Sequence, residues 1–254
     1  MSILGQPGDI ILRSNSVGFY HGHLYPKRTW SDWHQLVYAR EGTITIRTSD
    51  GIWAVPPQRA VLVPAGAPVE IQLHRQVKMR SLYIAATFAD WPARCQVVGV
   101  TPLLRELILH MTNRGVLHAS KPDERRLAEL LCDLLQTIEV EPLALQLPTD
   151  PRLIKALAIM EANPAVAAAL DVLADRVGTS RRTLNRVARA EMGISFGRWR
   201  EQVRIYLGVR MLADGLPVSR VAAELGYASA SAFIVSFRRH FSVSPGRYFQ
   251  SGSR

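Results

Sequence analysis

Arg181, Arg182, Arg186 and Arg189 crowd into the stretch TSRRTLNRVARAE, residues 179–191, with one acid, Glu191, beside them. A guanidinium is always charged and carries five N–H donors in a planar fork. It can hold phosphate, or grip O6 and N7 of guanine with two bonds, while Asn185 has the donor and acceptor that suit adenine. Helical spacing puts Leu184 and Ala188 one turn apart on a buried face, which turns Arg182, Asn185, Arg186 and Arg189 toward the other side. Arg181 falls in the first turn, behind Ser180 at the capping position. Such a helix suits a polyanion; a solvated basic face is the bland alternative.

Charge is distributed unevenly along the chain. Of the net +10, residues 1–150 supply +1, from 15 Lys/Arg and 14 Asp/Glu, and residues 151–254 supply +9, from 16 and 7. A basic half joined to a neutral one points to a polyanionic partner for the C-terminal half alone. That half also repeats itself. LDVLADRVGTSRRTLNRVARAEMGISF and SRVAAELGYASASAFIVSFRRHFSVSP share a short apolar helix, a glycine turn at Gly178 or Gly226, a Ser cap at Ser180 or Ser229, and a second helix. Leu184 and Ala188 correspond to Phe233 and Phe237. Each unit reads as a helix-turn-helix. Between them SFGRWREQVRIYLGVRMLADG predicts one long helix, capped by Ser195 and stopped at Gly215, about 27 Å long at 1.5 Å per residue.

This tandem arrangement resembles the DNA-binding domain of AraC/XylS-type transcription regulators. VAAELGYASASAFIVSFRRHFSVSPGRY is very like that family's second unit and C-terminal signature. The resemblance implies double-stranded promoter DNA as a partner, with the second helix of each unit in the major groove. Arg182, Asn185 and Arg186 are then expected to read bases, Arg181 and Arg189 to hold phosphates, with Ser180 and Ser229 in the interface. The second unit has Ala230, Ser231, Ile234 and Val235 where the first has Arg181, Arg182, Asn185 and Arg186. Of these only Ser231 can hydrogen-bond a base, so Arg238 and Arg239 are expected to anchor on phosphate rather than specify.

Before residue 100 the chain reads as short strands. GTITIRTSDG and VEIQLH alternate, and prolines and glycines punctuate VPPQRAVLVPAGAP, the pattern of a small barrel or sandwich. HQLVYAREG, VPPQRAVLVPAG and RSLYI resemble the cupin-like sensor domain of many AraC-type regulators. The expected class is α+β with two domains: a cupin-like β-barrel sensor at 1–100, a helical segment at 101–141, a proline-rich linker at 142–150, and an all-α tandem helix-turn-helix domain at 151–254. TPLLRELILHMTNRG has Thr101 as cap and Pro102 at the first helical position, and SKPDERRLAELLCDLLQTIE carries Leu127, Leu130, Leu131, Leu134 and Leu135 on one stripe. Those helices could cap the barrel or form a dimer seam.

Metal ligation needs a matching ligand set, which is not found here. His21 and His23 make a His-x-His pair, but Lys27 and Arg28 stand where an acid is expected, Val69 stands where a later His is expected, and His34 has no partner at a matching spacing. Satisfied or exposed histidines are the favoured reading, with no metal, no cofactor and no catalytic residue assigned. A metal-dependent cupin enzyme with a DNA-binding tail is the alternative from another class. Trp30, Trp33, His34, Tyr38, Trp53 and Tyr83 are candidates for an apolar effector pocket, with ordinary core residues as the alternative. Cys95 and Cys132 make no disulfide framework, no apolar run spans a bilayer, and MSILGQPGDII lacks a signal-peptide pattern. These features predict a cytoplasmic regulator that is not an enzyme, acting as a homodimer with a small-molecule effector and, by the family resemblance, with RNA polymerase.

Overall fold

The computed structural model describes residues 7–18, 23–49, 51–57, 59–73, 77–138, 140–141, 145–165, 169–241 and 243–250. The chain divides into two compact units. One comprises residues 1–50, 55–144 and the last three; the other comprises 145–251 with 51–54.

The first unit is built on antiparallel strands. They are β1 (Ile10–Val17), β2 (Leu24–Arg28), β3 (Trp33–Glu41), β4 (Ile44–Thr48), β5 (Gly51–Val55), β6 (Arg59–Val63), β7 (Val69–Leu73), β8 (Lys78–Ala85), β9 (Gln96–Gly99), β10 (Val116–His118) and β11 (Val140–Glu141). They form a seven-stranded sheet of order β10-β1-β8-β3-β6-β9-β11 and a four-stranded sheet of order β2-β7-β4-β5. β3 explains why the first sheet lacks a polar side. Its first seven residues, Trp33 to Ala39, are all buried. With side chains alternating, both faces must be covered.

One face is covered by helices α1 (Pro102–Arg114) and α2 (Pro122–Gln136). Leu36, Leu82 and Ile84 from the sheet pack with Leu104, Ile108 and Met111 of α1 and with Ala128, Leu131 and Leu135 of α2. Thr101 accepts the Leu104 N–H and Pro102 opens α1. The segment 101–141, predicted to be helical, also contains β10, which pairs with β1. At α2 the N-cap is Lys121, whose side chain makes no capping bond. Cys132 is buried, and burial pushes its thiol up to about 11.

The second unit is helical: α3 (Pro151–Ala162), α4 (Leu170–Val177), α5 (Arg181–Met192), α6 (Phe196–Ala213), α7 (Val218–Glu224), α8 (Ala230–Phe241) and α9 (Pro245–Gln250). Asp150 caps α3 by accepting the Arg152 N–H, with Pro151 at the first position. α6 is the central rod, its Trp199, Val203 and Leu207 buried at one-turn intervals. No helix among the described residues is long and apolar enough to cross a membrane.

Candidate functional site

The pair α4–α5 turns at Gly178, whose φ of +84° is the left-handed conformation that glycine adopts without strain. Ser180 then caps α5 through the Thr183 N–H. Leu184 and Ala188 are fully buried, and Arg181, Arg182, Arg186 and Arg189 are exposed, as the helical spacing predicts. The acid beside them does not neutralise them. Glu191 turns away, and its carboxylate accepts the backbone N–H groups of Thr149 and of Asp150, the latter at 3.2 Å. Arg181 faces Asp171 at 3.3 Å, an exposed pair. Arg182, Arg186 and Arg189 have no ion pair among the described residues.

Asn185 also has a role within the unit. Its Oδ1 accepts the Phe196 N–H at 3.2 Å and so holds the start of α6. The amide donors and the second lone pair of Oδ1 remain for a base edge.

The pair α7–α8 repeats the design. Gly226 turns at φ +71°, and Ser229 accepts the Ala232 N–H at 3.1 Å. Phe233 and Phe237 are buried in place of Leu184 and Ala188. The outward face is different: Ser231 and Val235 are exposed, Ala230 and Ile234 half-buried, and Arg238 and Arg239 stand exposed in the last turn. Cations there also favour the negative end of the helix dipole.

In the first unit, the inner face of the seven-stranded sheet and the strands β2 and β7 enclose a small cavity of about 40 Å3, lined by Asn15, Tyr25, Arg28, Trp30, Gln35 and Tyr83 among others. Gln35, only 2% exposed, donates from Nε2 to Ser81 Oγ at 3.2 Å and to Tyr83 Oη at 3.3 Å. Its Oε1 is buried without a partner among the described residues. Burial raises the Tyr83 pKa, so the phenol keeps its proton. Trp30 meets Tyr83 edge-on at 5.5 Å, and Arg13 lies over the Trp33 ring at 5.7 Å.

The six pocket candidates therefore separate. Trp30 and Tyr83 line the cavity, and Trp33 packs with them. His34 and Tyr38 lie elsewhere: the two-residue period of β3 places them on the opposite face from Trp33 and Gln35. His34 stacks on Trp91 at 5.0 Å and accepts the Ala65 N–H at Nδ1, and burial lowers its pKa. Tyr38 is part of the core under α1. Trp53, on β5, is buried and is not among the cavity residues. Gln35 and Ser81 were missed, although a glutamine alternating with Trp33 in the apolar string WHQLVY was the available signal. Of the histidine pair, His21 lies outside the described residues, and His23 meets Tyr25 edge-on at 4.6 Å.

Two families match the chain in order: an AraC-like ligand binding domain over residues 18–135 and a helix-turn-helix domain over residues 173–251. The HTH-type transcriptional regulator NimR of Escherichia coli is 34% identical over 214 residues, covering 84% of this chain and 78% of NimR. The chain belongs to the AraC family of transcription regulators. Similarity extends to the regulator RipA of Corynebacterium glutamicum, 34% identical over 99 residues, 39% of this chain and 30% of RipA. The activator RhaS of Escherichia fergusonii is 32% identical over 98 residues, 38% of this chain and 35% of RhaS. This AraC-family regulator thus carries a ligand-binding domain ahead of a DNA-binding domain of two helix-turn-helix units.

Proposed function

We propose that this regulator reads promoter DNA chiefly with α5 and holds it with α8. The observation that carries the reading is the set Arg182, Arg186 and Arg189, exposed on the second helix of a helix-turn-helix and left without acidic partners among the described residues. Arg182, Asn185 and Arg186 address base edges. Arg189 takes phosphate, and so does Arg181, whose exposed pair with Asp171 contributes little and is readily exchanged. Ser180 and Ser229 place two helix N-termini where backbone N–H groups meet phosphate. Ser231 supplies one polar contact in the second unit, and Arg238 and Arg239 supply charge.

A small-molecule effector binds beside Gln35, where the cavity of about 40 Å3 holds little more than a water and must widen to admit it, and residues 1–100, 101–141, 142–150 and 151–254 act as sensor, helical segment, linker and reader. Three groups support the effector: the free Gln35 oxygen, the Tyr83 hydroxyl and the Trp30 wall. We assign the chain a homodimeric state, a cytoplasmic location, contact with RNA polymerase and no catalytic activity, in keeping with the family.

Alanine substitution tests the reader. Arg182→Ala or Arg186→Ala should cost about 1–3 kcal/mol on a site selected from a random duplex pool and much less on random DNA. Arg238→Ala should weaken both by similar factors, because phosphate contacts carry no direct base information. Arg182 and Arg186 variants that weaken every sequence equally would overturn the assignment.

A further inference from the structure

The two reading helices are joined to the α6 rod in different ways. α5 shares an apolar core with the start of α6, and among the described residues Asn185 adds one hydrogen bond, to the first residue of α6. α8 is tied by a partly buried polar hub. Glu201 of α6 accepts a hydrogen bond at Oε1 from Tyr227 Oη, at 2.7 Å, and another from Ser236 Oγ. Tyr227 lies in the turn before α8, and Ser236 lies on α8 itself. Glu201 Oε2 accepts Arg204 Nη1 at 3.0 Å, and Arg204 Nε donates to the Leu225 carbonyl at 3.1 Å. The Arg204 guanidinium sits 3.7 Å from the centre of the Tyr227 ring and is almost fully buried.

Burial alone would raise the Glu201 pKa. The bonds from Ser236 and Tyr227 and the charges of Arg204 and Arg200 outweigh it, and the carboxylate ends below its ordinary range. His240, facing the same carboxylate from α8, is held toward its neutral form by burial. The hub thus joins an ionised carboxylate to three hydrogen-bond donors around a buried guanidinium, an arrangement that stiffens its surroundings.

We infer that Glu201 is a positioning residue: by locking α8 to α6 it sets the distance and phase between the two DNA contacts, so the second unit reads spacing more than base identity. The inference rests on the DNA-reading assignment above. It accounts for an otherwise odd pairing of features. The unit with few groups able to read bases is the one with the larger set of polar ties to the rod. Inserting one base pair displaces the second contact by about 3.4 Å along the axis and by about a tenth of a turn. A rigid joint cannot follow that displacement, and a loosened one can.

The test uses the full chain and a duplex selected by the wild type from a random pool, plus versions with one base pair inserted or removed between the two protected halves. Wild type should prefer the selected spacing by about tenfold, a difference that binding assays resolve easily. The double variant Tyr227→Phe/Ser236→Ala removes only the two hydroxyls that reach Glu201 and leaves Arg204 paired. Glu201→Gln removes the charge and keeps the shape. Both should bind the selected spacing more weakly yet bind the altered spacings almost as wild type does, so the preference shrinks. Ser236→Ala alone should fall between wild type and the double variant. Equal weakening on all three duplexes, as simple destabilisation would produce, overturns the inference, and so does an unchanged preference. A wild type that selects no site overturns the DNA reading itself, and the inference with it.

Discussion

At the scale of single residues, a carboxylate's role is set by what it faces. Glu124 is buried at the start of α2, accepting the His118 backbone N–H at 2.6 Å, the His118 ring at 3.0 Å and Lys121 Nζ at 3.1 Å. Chiefly through the His118 ring, its pKa is held down from 4.5 to about 2. A carboxylate with a depressed folded pKa stabilises the fold above its unfolded pKa and loses that contribution as pH falls toward the folded value. The contribution is therefore complete above 4.5 and disappears on acidification to about 2. Glu124→Gln should lower the unfolding midpoint of the first unit at neutral pH. The gap to wild type should close across that window when both are followed by circular dichroism. A gap that stays constant with pH would show that Glu124 acts by packing alone. The arginines of α5 obey the same logic from the opposite side: their nearest acid in sequence, Glu191, is taken by two backbone amides, so their charge remains for a partner.

At the scale of elements, α6 and α8 approach closely at Gly208. A Cβ there would lie 3.0 Å from Leu225 Cδ1 and 3.0 Å from Phe233 Cε2, both in fully buried side chains. Alanine gains about 1 kcal/mol of helix propensity, whereas overpacking a tight core costs about 1–3 kcal/mol. Gly208→Ala should lower the urea midpoint of the second unit, while Gly197→Ala, whose Cβ meets nothing within 4 Å, should leave it unchanged or raised. A stabilised Gly208→Ala would mean that α8 can shift. Helix starts in this unit are legible from sequence because their signals are local: Ser180, Ser195 and Asp150 each bond a backbone N–H two or three residues on. Other features were hidden because they depend on distant partners. β10 is three residues long and exists through its pairing with β1. The side of β3 that faces the cavity could not be read from alternation, because both faces are buried and the string WHQLVYA has no polar period. The hub at Glu201 reads in sequence as an ordinary charged helix position, since Tyr227 and Ser236 lie 26 and 35 residues away.

At the scale of the whole molecule, the leucine stripe of α2 separates into two uses. Leu131 and Leu135 are buried against the sheet, whereas Leu130 is 41% exposed and Leu127 and Leu134 are only partly covered. Residues 127, 130 and 134 follow helical spacing, so they form one strip in which Leu127 and Leu134 lean on the edge of the core and Leu130 stands outward. A two-fold dimer would pair this strip with its copy, because such an interface sets the same surface against itself. Substitution at the exposed position should therefore act on association more than on folding. Leu130→Glu places a carboxylate near its own symmetry mate, so like charges oppose across the seam. In sedimentation at about 10 µM, a range in which a modest interface is populated, wild type should run as a dimer and Leu130→Glu as a monomer with an unchanged far-ultraviolet spectrum. The variant should still bind one site, since α5 and α8 are untouched, but should lose the second protected segment in a footprint. A wild-type monomer at that concentration would leave α1 and α2 as cover for the sheet alone. A dimer that survives Leu130→Glu would place the seam elsewhere on the chain.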